Sequence, residues 1–393
     1  MVSSSLLFKS DKGTRFQWVV CQLDMLRRCI SVAAIRKALS AGLPKNLNQT
    51  YDQILSHIDE LHQQDVLKTL QALTATDESL TLEEIVEILA VDLDSNPPHI
   101  DPDSRLLDPR SILSMCSSLV TTVKMSRWNT YREKEDVTYL KLAHASVADY
   151  LTQPKVGPSQ FHFSTTPSRQ FLAQCCLTYL LNPEFANGHK SHERMETAAM
   201  RISYPFLIHA VNNWPKYLSK RPDDPDDYLE PRTMELLQAF FETWKTPSGG
   251  NFTYWVGMLI PDVAYKGVRK TQPLYYAASF GLTDVVRMIL EAKKDVELNA
   301  LGGRAHSTAL HVATYRNHIE VVKILLDKGA DPNLCNKSNE APLYWAVING
   351  NHEMQDLLLG NGATDLKGSL RQKLTLQDHL DEMLITRDFK LDE

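Results

Sequence analysis

Residues able to do chemistry are few in this sequence, and their spacing completes no reaction centre. His192-Glu193-Arg194-Met195-Glu196 begins like a zinc-protease helix, but the second histidine one turn on is missing. Two same-face ligands are needed to hold that metal. Asp92-x-Asp94-x-Asn96 starts like a calcium loop, yet Pro97 stands where the sharp turn needs glycine and no glutamate closes the loop. The six cysteines (Cys21, Cys29, Cys116, Cys175, Cys176, Cys335) form no C-x-x-C pair, and no G-x-S-x-G occurs. His144, in Ala143-His144-Ala145-Ser146, reads as a structural hydrogen-bonder where a strand passes into a helix, because nothing nearby completes a constellation. The Cys175-Cys176 pair lies on an apolar helical face and reads as core. No metal or cofactor site is expected, and the chain is expected not to be an enzyme.

Composition is ordinary for a soluble globular protein. The 393 residues are 43% apolar and 23% charged, enough for two or three domains. A net charge of −6 gives no general attraction to nucleic acid or anionic lipid. The N-terminal apolar run, Leu6 to Phe8, is far short of a secretory segment. No window approaches the ~20 apolar residues of a membrane span. These features predict a cytoplasmic protein with no membrane contact.

The strongest signal is repetition. Pro273-Leu274-Tyr275-Tyr276-Ala277, Ala309-Leu310-His311-Val312-Ala313 and Pro342-Leu343-Tyr344-Trp345-Ala346 stack, each followed by a second apolar stripe such as Val321-Val322-Lys323-Ile324-Leu325-Leu326. Leu274, Leu310 and Leu343 recur at intervals of 36 and 33 residues, against an ankyrin period of about 33. The extra residues are expected in the finger around Leu298 to Gly303. Thr308 can cap a first helix, and Gly281 and Gly350 can take the left-handed turn that stops one. The three units predict an ankyrin solenoid over 266–366. A weakly amphipathic stretch from Leu370 to Ile385 reads as a capping helix within a tail, 367–393.

Such an array does its work by recognition. The two residues before each helix-stopping position are Ser279-Phe280, Tyr315-Arg316 and Ile348-Asn349. Phe280, Tyr315, Arg316, Ile348 and Asn349 are the expected partner-binding surface, since aromatic and arginine side chains dominate interface hot spots. Finger residues Arg304, His306, Lys337 and Asn339 would form its polar rim. The partner is expected to be a protein.

Ahead of the array the chain reads as helical. Phe16 to Ala41 is helical with a break at Ser31, and Asn48 starts a helix with Tyr51, Ile54, Leu55, Ile58 and Leu61 on one face. Val66 to Ala75 follows. Thr81-x-x-Glu84 is a capping box opening a helix to Ala90. Asp92 to Asp101 is a Pro-rich loop, and Asp108-Pro109 opens a helix to about Ser117. Two β-like runs, Leu119 to Val123 and Val137 to Leu142, are joined by a polar loop. Three helices followed by a β-ribbon is the winged-helix order. That motif often binds DNA, but Val66 to Thr152 holds eight Lys/Arg against fourteen Asp/Glu. Such a surface repels phosphate, so no nucleic-acid partner is expected.

Three segments resemble a known family: Phe16-Gln17-Trp18-Val19-Val20-Cys21-Gln22-Leu23-Asp24, Leu43-Pro44-Lys45-Asn46-Leu47, and Leu142-Ala143-His144-Ala145-Ser146-Val147-Ala148-Asp149-Tyr150-Leu151. They look like the region that follows the ATPase domain in fungal NACHT–ankyrin proteins, relatives of NOD-like receptors. Phe171-Leu172-Ala173 and Tyr204-Pro205-Phe206-Leu207 resemble the helical connector of the same proteins. The resemblance implies a mostly α architecture: a helical lead (1–64), an inositol-deacylase-type winged-helix domain with a small β-wing (65–153), an α-helical connector (154–265) and the ankyrin array. It also implies a signalling role. The family's P-loop has no counterpart, because Lys9-Ser10 follows Ser4-Ser5-Leu6-Leu7-Phe8 without glycine. The chain thus corresponds to the regulatory and sensor half, as a natural short form or a truncated gene model. The alternative is a regulatory subunit of a split ATPase whose nucleotide site lies on another chain.

Overall fold

The computed structural model describes residues 17–23, 26–27, 31–41, 46–128, 134–153, 160–186, 203–219, 228–260, 265–292, 296–303 and 305–364. The stretch from Leu370 to Ile385 and His192-Glu193-Arg194-Met195-Glu196 lie outside them. The described residues form two compact units, divided after Tyr179 and again after Ala210. Both are mostly helical.

The first unit opens with helical residues 17–23 and α1 (Val32–Ala41). Ser31 Oγ accepts the Ala34 N–H at 3.1 Å and so caps α1. In α2 (Leu47–Ser56) the cap is Asn46, whose Oδ1 takes the Gln49 N–H, rather than Asn48. Asn46 holds the extended backbone a cap requires. Tyr51, Ile54 and Leu55 are buried as expected, whereas Leu61 lies beyond the helix and is exposed. The chain continues through α3 (Gln63–Ala75), β1 (Leu80–Thr81), α4 (Leu82–Leu89), β2 (Val91–Asp92), β3 (His99–Ile100), α5 (Ser111–Cys116), β4 (Val120–Trp128), β5 (Lys134–Leu142), α6 (Ala145–Thr152) and α7 (Thr165–Leu180).

The Thr81–Glu84 capping box forms in full: the hydroxyl takes the Glu84 N–H at 3.1 Å and the carboxylate takes the Thr81 N–H at 2.8 Å. Lys68 closes the other end of α4, its Nζ donating to the carbonyls of Leu89 and Val91. The sheet runs β1-β5-β4, all antiparallel, with Leu80 opposite Leu140 and Val120 opposite Leu142. Its inner face, with Leu80 and Leu140, joins Val66, Leu70, Ile85, Ile112 and Val147 in one buried core. Three differences from the sequence reading stand out. The polar loop expected at 124–136 is mostly strand, because β4 and β5 stay paired from Lys124–Thr138 out to Trp128–Lys134. The Pro-rich loop contains the short β2–β3 pair. The helix after Asp108-Pro109 starts only at Ser111, because Asp108 Oδ1 takes the Arg110 N–H in a local turn.

A carboxylate is buried in this core. Glu87, 5% exposed on the apolar helix α4, accepts Nε and Nη2 of Arg105 at 2.8 and 2.9 Å and the phenol of Tyr179 at 2.9 Å. Burial and that carboxylate push the Tyr179 hydroxyl far above its usual range. Cys175 and Cys176 are fully buried on α7, and burial pushes the Cys175 thiol up to about 12. A thiol so held is an inert core group.

The second unit contains α8 (Leu207–Leu218) from Val211 onward, α9 (Pro231–Glu242), α10 (Gly250–Leu259) and α11 (Tyr265–Lys270). Their centre is aromatic. Trp255, wholly buried, donates its indole N–H to the Val211 carbonyl at 2.9 Å and meets Trp214, Phe240 and Phe252 at ring distances of 5.2 to 5.8 Å. Three helix pairs follow: α12 (Pro273–Ser279) with α13 (Thr283–Glu291), α14 (Ala309–Tyr315) with α15 (Ile319–Asp327), and α16 (Pro342–Ile348) with α17 (His352–Gly360).

Candidate protein-binding face

Each repeat is built by the residues that marked it in the sequence. Pro273 and Pro342 open α12 and α16, where a missing N–H costs nothing. In the middle repeat Thr308 accepts the His311 N–H at 3.3 Å, and His311 Nδ1 accepts the Thr308 N–H at 3.2 Å. The ring proton is therefore on Nε2, which donates to the Glu340 carbonyl of the next finger at 2.9 Å. Burial pushes this histidine below the usual imidazole range, opposed by that carbonyl. Gln272 and Ala341 make no such cap, so only the middle repeat is pinned in this way. Gly281, Asn317 and Gly350 take the left-handed turn at φ +69°, +63° and +65°. The His318 ring covers Gly281 and hydrogen-bonds the Ser279 carbonyl at 3.0 Å.

The fingers interlock through asparagine. Asn299 Oδ1 takes the Asp331 N–H at 3.0 Å, and Asn333 Oδ1 takes the Thr364 N–H at 2.8 Å. This equivalence relocates the long first period. Glu291 to Asn299 is two residues longer than Asp327 to Asn333, and the Gly302–Ser307 hairpin is one residue longer than Asn336–Glu340. The extra residues are split between stem and tip, not gathered between Leu298 and Gly303. Loops absorb such insertions wherever no stacking contact is interrupted.

The proposed recognition residues fall in a row at the C-terminal ends of the first helices. Asn349 donates its amide to the Tyr315 carbonyl at 3.0 Å, tying the ends of α14 and α16 together. Tyr315 meets Trp345 edge to face at 4.8 Å. Trp345 is a member the sequence reading missed; its position within the stacking motif concealed it. Arg316 is half-buried and flanked electrostatically by the Tyr275 and Tyr315 phenols. Ile348 is half-buried and Asn349 exposed. Phe280 is half-buried: it leans on Trp255 at 6.2 Å, so part of its surface is spent inside the protein and the rest stays open at the face. His306, Lys337 and Asn339 are exposed at the finger tips, and the Lys337 N–H reaches the Ala305 carbonyl of the preceding finger. His306 and Asn339 have φ of +48° and +60°, so they shape the turns as well as line them. Arg304 lies outside the described residues.

The other chemical candidates resolve into structure. Asp92 Oδ1 takes the N–H groups of Asp94 and Ser95 in a turn. His144 caps α6 by accepting the Ser146 N–H at 3.1 Å, and Tyr51 meets the Ser146 hydroxyl at 2.9 Å. Among the described residues no helix is long and apolar enough to cross a membrane. A cleft of about 390 Å³ opens between α9 and α13, floored by Phe241, Leu274 and Ile289.

Repeat length, paired helices, interlocked fingers and glycine-stopped helices together define an ankyrin array. Residues 274–367 match the family model for Ankyrin repeats, in three copies. Residues 274–367 are thus an ankyrin-repeat array, which implies protein–protein interaction. Over 309 residues the chain is 28% identical to azaphilone pigments biosynthesis cluster protein L of Monascus ruber, covering 74% of this chain and 60% of that one. Over 93 residues it is 37% identical to the human transient receptor potential cation channel subfamily A member 1, covering 24% of this chain and 8% of the channel. A putative ankyrin repeat protein of fowlpox virus is 36% identical over 90 residues, 23% of this chain and 60% of the viral one. The chain thus spans at most about 60% of these relatives.

Proposed function

We propose that the chain is a non-catalytic recognition protein that grips a protein partner with the row Phe280, Tyr315–Arg316 and Ile348–Asn349 and the neighbouring finger tips. The observation that carries this is the half-buried Tyr315–Arg316 pair at the centre of the row, steadied by Trp345 and Asn349. Rigid aromatic and arginine side chains bind at small entropic cost. The setting we propose is the regulatory and sensor part of a NACHT-type signalling protein. Its support is the sequence resemblance ahead of the array.

In this reading α3, α4 and α5 with the β4–β5 hairpin make a winged helix that packs and does not read DNA. Its third helix, α5, carries no Lys or Arg, and Arg110 just before it is the nearest base. The wild-type chain and a Tyr315→Ala/Arg316→Ala variant, used as paired baits with quantitative mass spectrometry, test the recognition role. A partner should be lost from the variant, with binding weakened by about 2 kcal/mol or more and the melting temperature nearly unchanged. Identical captures, or a collapsed melting temperature, would overturn it.

A further inference from the structure

Two ring donors on the recognition face open to solvent. Tyr315 and Trp345 are both half-buried, and neither the phenol nor the indole N–H has a hydrogen-bond partner among the described residues. Neither group is sealed away from water, so both can still be satisfied from outside. The rings are held nearly at right angles. Tyr315 meets Trp345 at 4.8 Å and 78°, and Tyr344 meets Trp345 at 5.3 Å and 84°. The Asn349 amide on the Tyr315 carbonyl fixes the backbone beneath them. Phe280 in the first repeat and Ile348 in the third, also half-buried, carry the apolar row to either side. The first helices of an array stack about 8–10 Å apart, the separation of packed helices. An occupant that repeats its side chains at that interval meets one repeat per period.

We propose that the recognition face takes a proline-rich segment of a partner protein in the polyproline II conformation, with its carbonyls on the Trp345 indole N–H and the Tyr315 hydroxyl and its pyrrolidine rings against the aromatic planes. This rests on the recognition role proposed above and names the partner's chemistry. Proline has no N–H, and a polyproline II helix makes no internal hydrogen bonds, so open carbonyls are the only polar groups its backbone offers. Two unpaired donors set among aromatic rings match that surface. The spacing matches as well. One turn of polyproline II, three residues, rises about 9.3 Å, within the separation of neighbouring repeats. Same-face side chains of a strand recur at about 6.8 Å, and one α-helical turn rises about 5.4 Å. Aromatic rings also attract quaternary ammonium groups, but such a group would leave both donors unused.

Fluorescence anisotropy on the full chain tests this with three labelled probes of equal length: dodecaproline, a Gly/Ser peptide and a Gly/Ser peptide carrying one trimethyllysine. Dodecaproline should bind saturably. The Gly/Ser peptide, which has the carbonyls but not the preformed helix, should bind about tenfold more weakly or worse. Trp345→Phe should raise the dodecaproline Kd by about fivefold, and Tyr315→Phe by about threefold, since each deletes one hydrogen bond. Trp244→Phe, the same change at a half-buried tryptophan ahead of the array, should move it by less than about twofold. Circular dichroism melts confirm that each variant is folded. Among the nitrogen-15 signals of the six tryptophan indoles, the one missing in Trp345→Phe should be the one that dodecaproline shifts most. Equal weakening by the two tryptophan changes overturns the proposal, as does tighter binding of the trimethyllysine peptide, or no dodecaproline binding at all. If dodecaproline fails while a captured partner still depends on Tyr315 and Arg316, the face stands as the site and only its preference for proline falls.

Discussion

His311 joins two repeats through a single ring, accepting from Thr308 in its own helix cap and donating to the carbonyl of Glu340 in the next finger. The bond from Thr308 requires a neutral imidazole, because a second ring proton, on Nδ1, would face the Thr308 N–H. The folded pKa lies below the unfolded value of about 6.5. Below about pH 6.5 the unfolded chain therefore binds more protons than the folded one, and stability falls as pH drops toward the folded pKa. His318, lowered first by burial and also by Arg316, acts in the same direction. Urea midpoints at pH 7.5 and 5.5 should differ more for the wild type than for His311→Gln. Equal shifts would show that the ring does not carry the effect.

Two glycines with similar backbones should respond differently to the same change. Gly281 and Gly350 share φ near +67°, but a Cβ on Gly281 would lie 2.5 Å from His318 Nδ1, whereas one on Gly350 meets open space. Gly350→Ala should cost about 1 kcal/mol from the left-handed backbone alone. Gly281→Ala should cost about 2–3 kcal/mol, because the ring that ties the first two repeats must also shift. Chemical denaturation of both variants checks the order. Equal losses would mean the His318 contact adds nothing.

The ion pair Glu87–Arg105 predicts a double-mutant cycle with a large coupling. Arg105→Met strands a buried carboxylate and should destabilise by about 2–3 kcal/mol, toward the low end because the Arg105 side chain is 34% exposed. Glu87→Gln made in the same chain should recover part of that loss. Additive losses would show the two groups to be energetically independent.

Titration calorimetry with ATP and Mg²⁺ addresses the nucleotide question. No glycine-rich phosphate loop occurs in the sequence, so no saturable binding is expected. A Kd below about 100 μM, near −5.5 kcal/mol, would contradict this.

The sequence revealed most where local chemistry repeats or acts alone. The 33-residue period, the Thr81–Glu84 box and the Thr308 cap are each legible because the interacting groups lie within a few residues. What escaped was long-range or very short. The β1 strand has two residues, too few to show alternation, and its partner is β5, about sixty residues away. The Glu87–Arg105–Tyr179 cluster joins three distant segments, and nothing in α4 marks Glu87 as different from its exposed neighbour Glu83. Among the site residues, Arg316 and Lys337 could be found from repeat position. That Phe280 leans on Trp255 could not, because the helix supplying Trp255 belongs to no repeat.

That last contact gives the array a mechanical polarity. Tyr276 and Phe280 of the first repeat lie against Trp255, whose indole is fastened to the Val211 carbonyl, so the first repeat is tied into an aromatic cluster that precedes the array. In a stack whose repeats hold only their neighbours, each unit is as secure as the contacts on its two sides. The first repeat should therefore share the stability of that cluster. Amide exchange in α12 would then be as slow as in α10, and tension on the array would be delivered to the helices at its root.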